Sequence, residues 1–337
     1  MDTRLEPVRL GIAGTGFISA VHAACALRSP AVELVAIASA RGRASRERVG
    51  ALDPAVELLT IDELVASDRV DAVLVCTRTS EHADLAIDVL RAGKHLLLEK
   101  PGAITLPEQM RIGAEALAHP ELVARVAYMR RHDSAFRELA RLIASGAIGE
   151  PFAVKLASRE DFPPSEDDLA AGGFIMDVGV HDFDTARWLL RKDPDTVFTF
   201  VQSPVFRDAD LDNAYVTIGL DGAVATTHLS RTSKIGMDIR CEVLGPDGSI
   251  FLTQAPVTGE ISLFAGESAR AFPADCRERF RDAYQTQIDD FGAACRGEET
   301  SNATLEDDRF AVATAVAARA SAARREPLEV GPSWDWE

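Results

Sequence analysis

The run Val8 to Ala13 (VRLGIA) leads straight into Gly14-Thr15-Gly16, and from Ile18 to Leu27 apolar residues recur at helical spacing. A buried parallel strand needs such an apolar run. Glycines let a backbone approach a pyrophosphate, and a helix N-terminus offers it free N–H groups and a positive dipole end. Ser19 holds the third position of what becomes G-x-G-x-x-S, so the turn by itself also fits a generic strand–turn–helix. The following residues narrow the choice. Val32 to Ala38 (VELVAIA), Asp71 to Cys76 (DAVLVC) and Lys94 to Leu98 (KHLLL) are further apolar runs. Between them lie an amphipathic segment, Asp62 to Ser67, and a helical stretch, His82 to Ala92, that ends at Gly93. Strands and helices alternating at this length predict a doubly wound parallel sheet. Gly14, Thr15, Gly16, Phe17 and Ile18 are its expected dinucleotide seat.

The end of the second run bears on which dinucleotide fits. An NAD enzyme usually places Asp or Glu there for the ribose hydroxyls. This chain has Ser39, no acid between Glu33 and Glu47, and Arg41, Arg43 and Arg46 in the gap. A hydroxyl and a guanidinium suit a 2'-phosphate. The expectation leans to NADP, with NAD as the alternative; a solvated basic loop is the plainer explanation of the arginines.

At 337 residues the chain exceeds one ordinary core, which favours two domains. A formal charge of −17 repels polyphosphate and argues against nucleic acid as a partner. No run of about 18 apolar residues suggests a membrane span. The opening MDTRLEPVRLG lacks the basic start and apolar stretch of a signal peptide. Five scattered cysteines without CxxC spacing fit a reducing cytoplasm and no metal site.

After Tyr128 the rhythm changes. Phe136 to Ala144 reads as a helix, Phe152 to Ser158 as a strand, Arg159 to Ala171 as a polar loop and Phe174 to Leu190 as one helix. Strand-like runs follow without helices between them: Thr196–Val201, Ala214–Leu220, Ala223–Leu229, Ile239–Leu244 and Ile261–Phe264. Pro246-Asp247-Gly248 between two of them is hairpin chemistry. Clustered strands predict a mostly antiparallel open sheet with one face available to a partner subunit. Helices at about Asp275 to Cys295 and Leu305 to Arg324 complete an α/β chain.

Lys100 stands in Glu99-Lys100-Pro101, and Asp177 and His181 follow four positions apart on the helical stretch. An ammonium stabilises developing negative charge on an alcohol oxygen, and an imidazole titrates near neutrality. A carboxylate one turn away can orient that imidazole and favour its charged form. Without context, Lys100 reads as a solvated strand-end charge, and Asp177 with His181 as a stabilising pair.

These segments together resemble the Gfo/Idh/MocA oxidoreductases, and among them the inositol 2-dehydrogenase-like members. The likeness runs through VRLGIAGTGFI, VDAVLVCTRTSEH, AGKHLLLEKP, Met129–Asp133 (MRRHD) and Gly172–Leu190 (GGFIMDVGVHDFDTARWLL). It implies a Rossmann domain over residues 1–127 and a substrate-binding and oligomerisation domain over 128–337, built as α+β around a large open sheet. It implies a homo-oligomer, a dimer or tetramer, and a small polyol or sugar as substrate. Lys100, Asp177 and His181 match the family's catalytic group, and Asp184 and Arg130 its substrate ligands. Cys76, Thr77, Arg78, His82, Glu99, Lys100 and Pro101 join Ser39 and Arg41 on the implied cofactor side. The implied activity is NAD(P)-dependent oxidation of a secondary alcohol; an NAD-dependent glycosidase of the same fold and a non-catalytic dinucleotide sensor are the alternatives. Four positions depart from the pattern: Ser19, Arg78 where relatives carry proline, and Ile235 and Met237 where inositol dehydrogenases carry aromatics. The last departure weakens inositol itself as substrate and leaves a sugar or another cyclic polyol reasonable.

Overall fold

A computed structural model describes residues 6–42, 44, 55–206, 210–234, 236–252 and 273–331. Arg43, Arg46, Ile235, the run 261–264 and both Trp334 and Trp336 lie outside the described residues. The chain forms two compact units, one of Met1–Ala103, Pro107–His132 and Asp282–Asp308, the other of Ile104–Leu106, Asp133–Arg281 and Arg309–Glu337. The first unit thus runs past residue 127 and takes back a segment from near the C-terminus, which a single cut in the sequence does not describe.

Six strands occur early in the chain: β1 (Val8–Ala13), β2 (Val32–Ser39), β3 (Glu57–Thr60), β4 (Ala72–Val75), β5 (His95–Leu98) and β6 (Ala124–Val126). Six more are β7 (Ala153–Arg159), β8 (Thr196–Gln202), β9 (Asn213–Leu220), β10 (Ala223–Ser230), β11 (Asp238–Gly245) and β12 (Gly248–Leu252). Two short ones, β13 (Ala303–Thr304) and β14 (Leu328–Glu329), come last.

In the first unit the described strands form one sheet in the order β13-β6-β5-β4-β1-β2-β3. All neighbours are parallel except the β13–β6 edge. Leu10, Ile12, Val73, Leu74, Leu96 and Leu97 are fully buried, so these strands are sealed on both faces, as a parallel sheet requires. The strand order reverses between β1 and β4, and the crevice beyond the ends of those two strands is where such sheets bind ligands. The helix Arg281–Cys295 belongs to this unit through close packing. A Cβ on Gly292 would stand 2.8 Å from Ala31, Ser29 Oγ donates to Asp289 at 2.5 Å, and Arg296 Nη1 donates to the Ala31 carbonyl at 2.9 Å.

The second unit carries a sheet in the order β12-β11-β7-β10-β9-β8-β14, antiparallel except at β7–β10. Alternate residues are buried along β9, where Ala214, Val216, Ile218 and Leu220 face inward. The helix Val180–Leu190 packs on β7 and β10. The outward-facing positions leave Phe200, Tyr215 and Phe251 more than half exposed.

Candidate active site

In the first unit, Gly14 follows β1 at φ +138°, and a Cβ there would stand 2.4 Å from the Cys76 carbonyl oxygen. Only glycine fits. Gly16 precedes the helix Phe17–Ala26 as an N-cap without a side-chain hydrogen bond, and a Cβ on it would meet nothing within 4 Å. The helix N-terminus is therefore open beside a backbone that can be approached closely. Ser19 compensates for the missing third glycine: it is buried, and its hydroxyl reaches the Cys76 carbonyl at 3.4 Å. Just past β4, Thr77 Oγ1 is buried and has no hydrogen-bond partner among the described residues. An orphaned hydroxyl, a glycine cradle and an uncapped helix start fit a dinucleotide.

The neighbouring groups set the cradle. Cys76 is buried, and burial together with the Glu99 charge pushes its thiol well above the ordinary range, which makes it a neutral packing group. Arg78 caps the helix Thr79–Arg91 with extended backbone and is exposed, as is Phe17. Ser39 ends β2, buried, and its Oγ accepts the Arg41 backbone N–H at 3.2 Å. Arg41 itself is exposed.

The triplet Glu99-Lys100-Pro101 follows β5 and is braced from three directions. Glu99 is buried: Oε1 lies 2.7 Å from His22 Nε2, and Oε2 accepts the Lys100 backbone N–H at 2.9 Å. The Lys100–Pro101 peptide is cis. His82 Nδ1 lies 3.0 Å from the Pro101 carbonyl and Nε2 lies 3.3 Å from that of Thr77. Burial lowers the His82 pKa despite these carbonyls, so the ring is neutral and its single N–H serves one of them at a time. Beyond Pro101, the Gly102 N–H donates to the buried Asp308, which also accepts from Tyr128 Oη at 2.7 Å and Gln109 Nε2 at 2.7 Å. Lys100 is half-buried, while Arg130 is buried in the 3₁₀ turn Met129–His132.

Asp177, His181 and Asp184 belong to the second unit and share one helical segment. Within the helical stretch expected from about Phe174 to Leu190, residues Ile175–Gly179 form a π-helical turn, and α-helix resumes over Val180–Leu190. Asp177 lies in the π turn, half-buried, with His181 in the first α turn and Asp184 one turn on, both buried. A Cβ on Gly179 would stand 2.9 Å from the Phe183 ring and 3.2 Å from Leu229, so glycine lets this turn approach β10.

In the first unit Gly14 and Ser19 lie against Cys76, His82 joins Thr77 and Pro101, and Glu99 bonds the Lys100 backbone. His22, Asp308 and Asp182 are structural partners of the site that residue pattern did not single out. Only Asp182 carried a signal, by standing inside the His181-Asp182-Phe183-Asp184 stretch.

Two family models match the chain: the oxidoreductase family with an NAD-binding Rossmann fold over residues 8–128, and the GFO/IDH/MocA C-terminal domain over residues 136–251. The chain belongs to the GFO/IDH/MocA family of oxidoreductases. It is 32% identical to an inositol 2-dehydrogenase of Rhizobium meliloti, over 96% of this chain and 99% of that one. It is 31% identical to the scyllo-inositol 2-dehydrogenase (NAD(+)) of Bacillus subtilis, over 96% of both. The crystal structure of a myo-inositol dehydrogenase from Corynebacterium glutamicum superimposes with a TM-score of 0.83 at 26% identity, covering 97% of this chain and all of that one.

Proposed function

We propose that this protein oxidises a secondary alcohol of a cyclic polyol or sugar with NADP(H) or NAD(H). The observation that carries the reading is the bracing of Glu99-Lys100-Pro101 by two buried histidines at the end of β5, next to the strand that presents Thr77. A lysine held this firmly, at the ligand-binding end of a parallel sheet, is more than a surface charge. When bound, the nicotinamide supplies the hydride acceptor. Lys100 holds the alcohol oxygen and favours its alkoxide character. His181 accepts the hydroxyl proton, with Asp177 orienting the imidazole and stabilising its charged form. Asp184 and Arg130 hold further substrate hydroxyls.

Gly14, Thr15, Gly16, Phe17 and Ile18 seat the pyrophosphate, and Cys76, Thr77, Arg78, His82, Glu99 and Pro101 line the path of the cofactor. The hydroxyl of Ser39 and the exposed guanidinium of Arg41 favour NADP over NAD. Inositol dehydrogenase relatives support a polyol, while the buried Met237, in place of an aromatic, favours a different cyclic polyol or sugar from inositol. The exposed Phe200, Tyr215 and Phe251 on the open sheet support a homo-oligomer formed through that face. Five free cysteines fit the cytoplasm, and no helix among the described residues is long and apolar enough to cross a membrane.

The test is Lys100→Ala, assayed on a panel of cyclitols and aldoses with both cofactors. Turnover should vanish with dinucleotide affinity kept, whereas unchanged turnover refutes the assignment.

A further inference from the structure

The π turn bearing Asp177 is flanked by two anchored carboxylates, Asp210 before it and the buried Asp182 just after it. At its start, Asp210 Oδ2 accepts the Phe174 backbone N–H at 3.0 Å. The same oxygen lies 3.0 Å from Nη2 of Arg231, a fully buried side chain whose guanidinium sits over the Phe174 ring at 4.6 Å and the Phe162 ring at 5.0 Å. Gly173 makes room for this: it has φ +75°, and a Cβ would stand 2.9 Å from Asp210 Oδ1. At the other end Asp182, directly after His181 and fully buried, accepts Ser158 Oγ of β7 at 2.7 Å and Thr227 Oγ1 of β10.

We infer that Asp182 and Asp210 are positioning residues: together they hold the π turn that sets Asp177 relative to His181. This rests on the reading of those two as catalytic. Carboxylates taken largely out of water are a poor way to gain stability, since that removal offsets most of the attraction they make. Their bonds are directional, however, and each is aimed at one end of the segment. A π turn holds one residue more per hydrogen-bonded ring than an α turn, and such turns recur at functional sites. Relaxation to α-helix would rotate Asp177 relative to His181, and a misplacement of about 1 Å at a reacting centre costs on the order of a hundredfold in rate.

The test isolates the hydroxyl–carboxylate bond. Thr227→Val keeps the side-chain shape and deletes the donor, and Thr227→Ser restores it. Rates are measured with the fastest alcohol among myo-inositol, scyllo-inositol, D-glucose and D-xylose. Thr227→Val should lower kcat by about tenfold or more and move the acid limb of its pH profile, with cofactor KM unchanged and Thr227→Ser close to the parent. Ser158→Ala and Asp210→Asn should act in the same direction and stand in if Thr227→Val fails to fold. Parental kcat and pH profiles in the folded variants, alongside an inactive His181→Ala, overturn the inference alone. An active His181→Ala overturns the catalytic reading beneath it.

Discussion

His22 Nε2 lies 2.7 Å from Glu99 Oε1, with both side chains buried in the first unit. The pair joins the helix behind the glycine turn to the residue that precedes Lys100. Glu99 also accepts the Lys100 backbone N–H, so its two oxygens link helix and lysine. His22→Leu would leave Oε1 buried without its donor. The expected loss is about 1–3 kcal/mol, the cost of an unsatisfied buried acceptor, and larger for a charged one. Urea denaturation measures it, and replacing both residues with apolar ones should recover part of the loss. A midpoint unmoved in His22→Leu would mean the pair contributes nothing.

The two outer glycines of the turn should separate folding from cofactor binding. Gly14→Ala puts a methyl group into the Cys76 carbonyl at a backbone angle of +138°, so it should destabilise the protein by at least about 1–3 kcal/mol. Gly16→Ala meets nothing in the protein, and its φ of −86° suits any residue. It should therefore melt like the parent and yet bind dinucleotide at least about tenfold more weakly, a difference of some 1.4 kcal/mol. Fluorescence titration with reduced cofactor checks this, and parental affinity in Gly16→Ala would move the pyrophosphate elsewhere.

Much of this architecture is legible in residue order because apolar runs and turn chemistry are local. Val8–Ala13, Gly14-Thr15-Gly16 and the hairpin at Pro246-Asp247-Gly248 each announce themselves within a few residues. The three-residue β6 and two-residue β13 do not, since neither is long enough to show a period. Helix Leu106–Ala118 escapes for another reason: it carries Gly113 inside it, a poor helix former, and Met110 and Leu117 are exposed, blurring its apolar stripe. The site divides the same way. Lys100, Asp177 and His181 stand in recognisable motifs, but what braces them is distant in sequence. His22 reaches Glu99 across 77 positions and Asp308 reaches Gly102 across 206. The π turn escapes because the alternation of apolar residues does not distinguish i→i+5 from i→i+4 bonding.

The proposed preference for NADP can be tested at Arg41. Its guanidinium is exposed next to Ser39, whose Oγ is already fixed by the Arg41 backbone. Arg41→Ala should lower kcat/KM with NADP by about tenfold or more while changing the NAD value little, because only the 2'-phosphate loses a charged partner. Steady-state assays with both cofactors decide it. Equal losses would mark the loop as a solvated basic turn.

The last prediction concerns acid stability and rests on His228. Its ring stacks on Tyr215 at 4.2 Å, and Nδ1 accepts from Arg159 Nε at 2.9 Å. Burial, then the Arg159 charge, lowers its pKa from 6.5 to about 4, with Asp238 opposing weakly. The unfolded chain therefore takes up this proton first as pH falls. Stability contributed by the neutral ring is complete above pH 6.5, declines between there and about 4, and loses nothing more below. Protonation of Nδ1 also breaks the Arg159 bond, which places two cations together. His228→Gln keeps an acceptor for Arg159 and removes the titration. Its urea midpoint should fall less than the parent's between neutral pH and the lower end of that window, because the other groups titrate alike in both proteins. Equal falls in the two proteins would show that His228 is not the titrating group.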